Sequence, residues 1–155
     1  MKTKINRSMN KLFLLIIFCF VYHNSYAQST VEEISSSYES KLPIDFGAVS
    51  LTYVSHNDKF FQYSYQYKNL SSDWTDEHRF GAITLFGSEI SKTINTLSEF
   101  NIIKKSGKTI IFTYNDKAGN LIYVIIFSIK EGKYELNLEQ SLSVSKIAID
   151  ELNKQ

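Results

Sequence analysis

The chain has 155 residues, of which 43% are hydrophobic and 14% are aromatic, and its formal net charge at pH 7 is +1. This length is typical of one domain that can bury a single hydrophobic core. The balance of 17 basic and 16 acidic residues, together with a single cysteine, argues against a nucleic-acid-binding protein and excludes a disulfide scaffold.

The first 27 residues have the three parts of a secretory signal peptide. Residues 1–11 carry four basic residues and no acid, and residues 12–21 are uninterrupted apolar sequence. Ser25 and Ala27 then place small residues at the −3 and −1 positions of a cleavage site before Gln28. We therefore expect cleavage after Ala27 and an exported product, either periplasmic or secreted.

Two alternatives to this cleavage are less consistent with the sequence. The apolar run is about half of the roughly 20 residues that a membrane-spanning helix needs, so no stable membrane anchor is expected. A lipid-modified Cys19 would normally follow a small residue, whereas Phe18 precedes it.

Residues 28–155 are predicted to form one domain. The removed segment holds 4 of the 17 basic residues and none of the 16 acidic ones, so the remaining 128 residues carry 13 against 16, a net charge of −3. This charge supports neither a nucleic acid nor an anionic lipid as partner. Because Cys19 is lost with the signal, thiolate catalysis and cysteine metal sites are excluded as well.

A short helix and a hairpin are predicted in the first half of this domain. Thr30 and Glu33 have the spacing of a capping box, and apolar residues at helical intervals follow to about Ser40. Residues 48–67 then alternate between apolar and polar side chains on both sides of Asn57-Asp58, which is typical of a hairpin turn.

The second arm of this hairpin carries an aromatic stripe. Its members, with the nearby tryptophan, form the candidate binding surface of the sequence: Phe61, Tyr63, Tyr65, Tyr67 and Trp74. Rings at every second position of a strand more often form the core face than a ligand platform, so we favour burial. The strand could still serve as a sheet edge or a platform for a partner.

Two helices are predicted in the middle of the domain. Ser72 or Asp73 can cap a helix that begins near Trp74. After Gly87, Ser88 can cap a second helix to about residue 101, with its apolar stripe on one side and its polar residues, Glu99 among them, elsewhere.

Residues 108–129 form the most apolar hairpin of the domain. Residues 116–119 suit a type I turn, with Asp116 at the first position and Gly119 as the closing residue with positive φ. Both faces of the hairpin are apolar, so we expect it at the centre of a sheet covered on both sides.

The last part of the chain suggests one more strand and a terminal helix. Tyr134, Leu136 and Leu138 alternate with polar residues, and helical spacing then joins Val144, Ile147, Ala148 and Leu152. The predicted fold is α+β: an antiparallel sheet of four to five strands, from two hairpins and a possible extra strand, with helices packed on one face.

The chain resembles small exported bacterial α+β proteins of unknown function over residues 42–129. The resemblance is carried by L-P-I-D-F-G at residues 42–47, the alternating hairpin, the helical middle and F-T-Y-N-D-K-A-G-N-L-I at residues 112–122. It implies the α+β layout and an address outside the cytoplasm, and it carries no catalytic residue.

One polar cluster could carry chemistry. Asp73, Asp76, Glu77 and His78 could bind a metal ion or divide acid and base roles, as in a small metal-dependent hydrolase. No second histidine stands at metal-site spacing and no H-E-x-x-H motif occurs, so we interpret the cluster as a solvated helix start. We predict no cofactor.

Three functions remain open. The favoured one is a non-enzymatic interaction module outside the cytoplasm that binds another protein or an envelope component. The alternatives are the metal-dependent hydrolase and a cystatin-like carrier, in which a helix crosses a curved sheet and leaves a cavity for a small apolar ligand.

Overall fold

A computed structural model describes residues 30–71 and 73–152, and side chains in the last helix as far as residue 147. The predicted signal peptide and Ser72 lie outside these residues. In the described chain the elements are α1 (Val31–Glu39), β1 (Ile44–Asp45), β2 (Val49–His56), β3 (Phe60–Tyr67), α2 (Asp76–Ser91), α3 (Ser98–Lys105), β4 (Thr109–Asn115), β5 (Leu121–Lys130), β6 (Lys133–Leu136) and α4 (Leu138–Leu152). The α+β class is confirmed. None of these helices is long and apolar enough to cross a membrane.

The six strands form one sheet in the order β1-β2-β3-β4-β5-β6. Neighbouring strands are antiparallel except β3 and β4, which run parallel and pair from Phe60 with Thr109 to Gln66 with Asn115. The predicted all-antiparallel sheet of four to five strands is therefore wrong. The segment that contains α2 and α3 leads from the end of β3 back to the level of its start. β4 therefore begins beside Phe60 and runs in the same direction, which is the crossover that a parallel pair requires.

The predicted local signals are present where the hairpins and the first helix need them. Thr30 Oγ1 accepts from Glu33 N, and the Glu33 carboxylate accepts from Thr30 N, each at 3.2 Å, so the capping box begins α1. Between β4 and β5, Asp116 Oδ1 accepts from the backbone N–H groups of Ala118 and Asn120, both at 2.8 Å. Gly119 has φ of +91°, which is unstrained only without a Cβ atom.

The helical middle begins and breaks at other residues than the sequence predicted. Thr75 caps α2 through a 3.2 Å bond from His78 N, and α2 then continues through Gly87 and Ser88 to Ser91. Ser88 is therefore not a cap. At Gly87, α2 lies so close to the sheet that a side chain has no space: a Cβ atom there would stand 2.8 Å from both Cδ atoms of Leu136.

One face of the sheet packs on α1, α2 and α3 and forms the hydrophobic core. The side chains that β3, β4 and β5 direct to this core face are at most 3% exposed: Phe61, Tyr63, Tyr65, Ile110, Phe112, Tyr114, Tyr123, Ile125 and Phe127. Tyr38 of α1, Phe86 of α2 and Phe100 of α3 lie ring against ring with them. This confirms the prediction of helices on one face for α1 to α3.

The opposite face, which we call the open face, leaves the side chains of β2 to β4 half-buried or exposed, apart from Ser64. On β4, buried residues alternate with half-buried ones such as Ile111 and Thr113. On β5, by contrast, Val124 and Ile126 of the open face are only 2% exposed. The prediction that both faces of this hairpin are covered is thus correct for β5 and wrong for β4.

Helix α4 explains the difference, because it runs along the outer edge of β5. Its buried contacts with that edge come from Ser141 and Ser145, which are 0% and 1% exposed. Val144 and Ile147, whose helical spacing predicted this helix, are 37% and 57% exposed. The side chains of Ala148 and Leu152 lie outside the described residues.

Candidate binding face

The acidic cluster predicted from the sequence does not converge on a site. Asp73, Asp76, Glu77 and His78 are all exposed around the first turn of α2. Asp76 accepts a 2.9 Å bond from Arg79, and the His78 ring lies 6.2 Å from the Trp74 ring. In the described part of the chain, no group of three or more His, Cys, Asp or Glu side chains is placed to hold a metal ion.

The aromatic stripe lies inside the core. Phe61 and Tyr63 are 0% exposed, and Tyr65 and Tyr67 are equally shielded at 1% and 7%. Because β3 is the third of six strands, it is not a sheet edge, and its buried aromatic stripe is not a platform for a partner. The interpretation of the stripe as a core face is confirmed, and only Trp74 of the candidate surface is half-buried, with its ring 5.5 Å from that of Tyr123.

A buried carboxyl group lies within this core, and the sequence pattern did not reveal it. Glu99, in the first turn of α3, is 4% exposed and accepts hydrogen bonds from the hydroxyl groups of Tyr38 and Tyr63. Burial raises the pKa of Glu99 to about 6, and the two tyrosine bonds oppose that shift.

Glu99 was predicted to lie on the polar side of a helix that continued from Ile90. The chain instead ends α2 at Ser91 and begins α3 at Ser98, so the helical phase of Ile90 does not extend to Glu99. The signal that could have revealed it is local: Glu99 directly precedes Phe100 and stands four residues before Ile103, both of which are buried. Enclosed by the core, the carboxyl group has no access for a substrate and is not a candidate catalyst.

A shallow depression lies between α2 and α4. It has a volume of about 140 Å³ and is lined by Asp76, Arg79, Leu142, Ser145 and Lys146. Arg79 there donates from Nε to the carbonyl oxygen of Ile122 at 3.1 Å and from its terminal nitrogen to Asp76. The guanidinium therefore has a structural role at the edge of β5.

The open face combines accessibility with hydrogen-bonding side chains. Cross-strand pairs define it: Tyr53 of β2 lies opposite Ser64 of β3, Ser64 opposite Thr113 of β4, and Thr113 opposite Val124 of β5. By this register, β2, β3 and β4 present the following side chains, all uncharged: Ser50, Tyr53, Ser55, Phe60, Gln62, Ser64, Gln66, Thr109, Ile111, Thr113 and Asn115.

Hydrogen bonds hold these side chains in place across neighbouring strands. Thr113 Oγ1 donates to Ser64 Oγ at 2.8 Å, and Gln62 Nε2 donates to the same oxygen at 3.0 Å. Asn115 Nδ2 donates to the carbonyl oxygen of Tyr65 at 3.2 Å, and Gln66 Nε2 donates to that of Lys117 at 3.1 Å. The amide and hydroxyl groups of the open face are therefore preorganised.

Among the described strand residues, charged side chains of this face stand at two corners, Asp45 at one and Lys130, Lys133 and Glu135 at the other. Lys68 lies 2.6 Å from Asp45, and the hydrogen bond from Lys68 lowers the pKa of Asp45. At the opposite corner, Lys130 lies 3.7 Å from Glu135. Exposed pairs of this kind contribute little to stability. Between the two corners, the side chains that β2 to β4 present are uncharged.

Tyr53 is the prominent aromatic group of the open face. A register irregularity of β2 between Leu51 and Tyr53 lies at this position, and the Tyr53 side chain is 56% exposed. Bulges of this kind commonly redirect a side chain and interrupt the pairing of a strand near the edge of a sheet. The open face thus offers the exposed ring of Tyr53 and the half-buried ring of Phe60 beside rows of amides and hydroxyls.

Comparisons with known proteins do not place the chain in a family. No family model, no curated protein and no solved structure matches it.

Proposed function

We propose that this protein is a non-enzymatic binding module that acts outside the cytoplasm and recognises an uncharged, hydroxyl-rich ligand of the cell envelope on the open face. The observation that carries the proposal is the uncharged centre of this face, with its preorganised amides and hydroxyls and the exposed ring of Tyr53. The signal-like residues 1–27 support the extracytoplasmic address.

The chemistry of the face favours a neutral glycan over other ligands. Amide and hydroxyl groups both donate and accept hydrogen bonds, as sugar hydroxyls do, and an exposed tyrosine ring offers an apolar surface for stacking. Nucleic acids and anionic lipids require clustered cations, which the centre of this face does not have. A protein partner would favour a more apolar and aromatic interface core than amides and hydroxyls provide.

The alternatives find less support. An enzyme would need reactive groups on an accessible concave site, whereas Asp73, Asp76, Glu77 and His78 are dispersed in solvent and Glu99 is enclosed. A cystatin-like carrier would need space between helices and sheet. Helix rings against strand rings, such as Phe100 against Tyr63 at 6.1 Å and Phe86 against Tyr123 at 6.3 Å, fill that layer instead.

Binding of residues 28–155 to insoluble neutral polysaccharides tests the proposal. Cellulose, chitin and starch granules are the neutral probes, and polygalacturonate is an anionic control. We expect saturable binding to at least one neutral polymer that persists at 0.5 M salt, because no ion pair is involved. If none of the neutral polymers retains the protein, or only polygalacturonate does, the glycan proposal is wrong.

The Tyr53→Ala substitution is expected to weaken this binding about tenfold, which corresponds to about 1.4 kcal/mol. The matched control is Phe80→Ala, because Phe80 is an aromatic residue 47% exposed on α2, away from the open face. Both substitutions affect exposed rings, so the free energy of unfolding should change by less than about 0.5 kcal/mol in each. Equal affinity of the two variants would contradict the assignment of the open face.

Gln62→Glu provides a second variant of the same face. It removes the amide donor that bonds Ser64 and adds a negative charge to the neutral centre. We expect a loss of affinity for the neutral polymer at least as large as that of Tyr53→Ala, because a carboxylate must be desolvated without a partner.

A further inference from the structure

The residues that follow β6 alternate like a strand, although they fold as the beginning of α4. From residue 133 to 142, every odd position is polar, and the even positions are apolar except Gln140. Tyr134 and Leu136, the first apolar residues of this series, already belong to β6. This period of two predicts that the strand continues beyond Leu136.

Most of the outer edge of β5 is not paired with β6. β5 has ten residues, but β6 pairs only with its last four, from Phe127 to Lys130. Asn137 N donates to the carbonyl oxygen of Ile126 at 2.8 Å, so the ladder extends one bond beyond β6. The backbone groups of Val124 and Ile126 on the same edge have no strand beside them in the described chain.

Two serines occupy the position that the missing strand would take. Ile126 N donates to Ser141 Oγ and Val124 N donates to Ser145 Oγ, both at 2.9 Å. Ser141 Oγ in turn donates to the carbonyl oxygen of Asn137 at 2.7 Å. The hydroxyl group of Ser141 thus stands between the N–H of Ile126 and the C=O of Asn137, the two groups that an antiparallel ladder joins directly.

Among the described side chains of α4, Leu138 and Leu142 pack partly buried against the core, but two other apolar residues lie largely in solvent. The groups that α4 buries most completely against β5 are the two serines, while Val144 remains 37% exposed and Ile147 57% exposed. Serine and valine are also poorer helix formers than alanine or leucine. Val144 and Ile147 therefore add little hydrophobic burial to the docking of α4 as a helix.

We propose that residues 137–142 are a two-state element, helical in the arrangement described above and able to continue β6 along β5. In the second state, Glu139 pairs with Val124 and Ser141 with Ile122, while Leu138 and Leu142 stay on the core side. The side chains of Asn137, Glu139 and Ser141 then join the open face and widen it by one strand. An effect of this change on ligand binding rests on the proposed function of the open face. The conformational equilibrium itself does not depend on that function.

The double variant Ser141→Val with Ser145→Val tests the equilibrium without any ligand. It removes both hydroxyl groups that satisfy the edge of β5 and raises the strand propensity of the segment. We expect ¹³Cα and ¹³Cβ chemical shifts of residues 138–142 to change from helical to extended values. The amides of Val124 and Ile126 should keep their protection from hydrogen exchange within about tenfold of the original chain, because backbone carbonyls replace the serines.

The control variant is Glu139→Pro. Glu139 is the second residue of α4, where proline is tolerated because the N–H has no intrahelical acceptor. In the strand state, the same N–H must donate to Val124, so proline blocks that state. The triple variant with Glu139→Pro should therefore lose the amide protection at Val124 and Ile126 that the double variant keeps.

Relaxation measurements on the unmodified chain give a second readout. Chemical-exchange saturation transfer should reveal a minor state with extended shifts at residues 138–142, and Glu139→Pro should abolish it. If these residues stay helical in the double variant, or become unstructured while Val124 and Ile126 exchange freely, the proposal is overturned. A failure of polysaccharide binding alone would overturn the proposed function and leave this equilibrium intact.

Discussion

Phe112→Ala is expected to lower the free energy of unfolding by about 3–5 kcal/mol. Phe112 is 2% exposed at the centre of the core face, and its ring lies 5.4 Å from Tyr63, 6.3 Å from Phe100 and 6.1 Å from Phe127. Three elements meet at this ring, so removing it leaves a cavity that rigid neighbours on a sheet cannot close. Urea denaturation followed by circular dichroism measures the loss.

The control for this experiment is again Phe80→Ala. It deletes the same atoms from a side chain that is 47% exposed, so the free energy of unfolding should change by less than about 0.5 kcal/mol. A cost below about 1 kcal/mol for Phe112→Ala would mean that the layer between α3 and the sheet is loosely packed. That result would contradict the core described here.

The buried carboxyl group of Glu99 is expected to make the protein less stable as the pH rises from 4.5 to 7. Burial raises the pKa of Glu99 from 4.5 to about 6, so the folded protein holds this proton more tightly than the unfolded chain does. The full contribution is present below pH 4.5 and is lost as the pH rises through 6. A difference of about 1.5 in pKa corresponds to about 2 kcal/mol.

Glu99→Gln isolates this contribution from that of all other titrating groups. The amide cannot ionise, yet its oxygen can still accept from Tyr38 and Tyr63. The difference in free energy of unfolding between the two proteins should shift by about 2 kcal/mol in favour of Glu99→Gln between pH 4.5 and pH 7.5. Parallel stability curves for the two proteins over this range would falsify the assignment of a raised pKa to Glu99.

The burial of Tyr63 and Glu99 also bears on which surface of the protein is open to a partner. Tyr63 and Glu99 are bonded to each other inside the core, between β3 and the helices α1 and α3. The face that remains available to a partner is the one that these helices do not cover. Its hydrogen bonds link β3 to β4 through Ser64 and Thr113, so the parallel pair forms the middle of the proposed binding surface.

Local features were predictable because their causes lie within a few residues of sequence. The capping box of Thr30 and Glu33 and the Asp116–Gly119 turn depend on neighbouring backbone groups. The burial of the Phe61 to Tyr67 stripe followed from its period of two. Each of these signals needs no knowledge of which element lies opposite.

The helix boundaries were less predictable, because packing decided them. Gly87 and Ser88 have the composition of a helix end and start, yet α2 continues through them. The close approach to Leu136, a residue almost fifty positions away, gives the glycine its place inside the helix. The break between the end of α2 at Ser91 and the start of α3 at Ser98 changes the helical phase, and Glu99 is buried in the new phase.

By itself, the sequence determined the α+β class, the hairpins with their turns and the aromatic core strand, because alternation, capping and turn chemistry act locally. The tertiary structure alone decided that β3 and β4 run parallel, that one face of β2 to β4 stays open, and that Ser141 and Ser145 rather than Val144 and Ile147 meet the sheet. Those outcomes depend on where the segment with α2 and α3 returns to the sheet, and on which backbone N–H groups of β5 still lack a hydrogen-bond acceptor on a neighbouring strand. Such quantities exist only once the chain has folded.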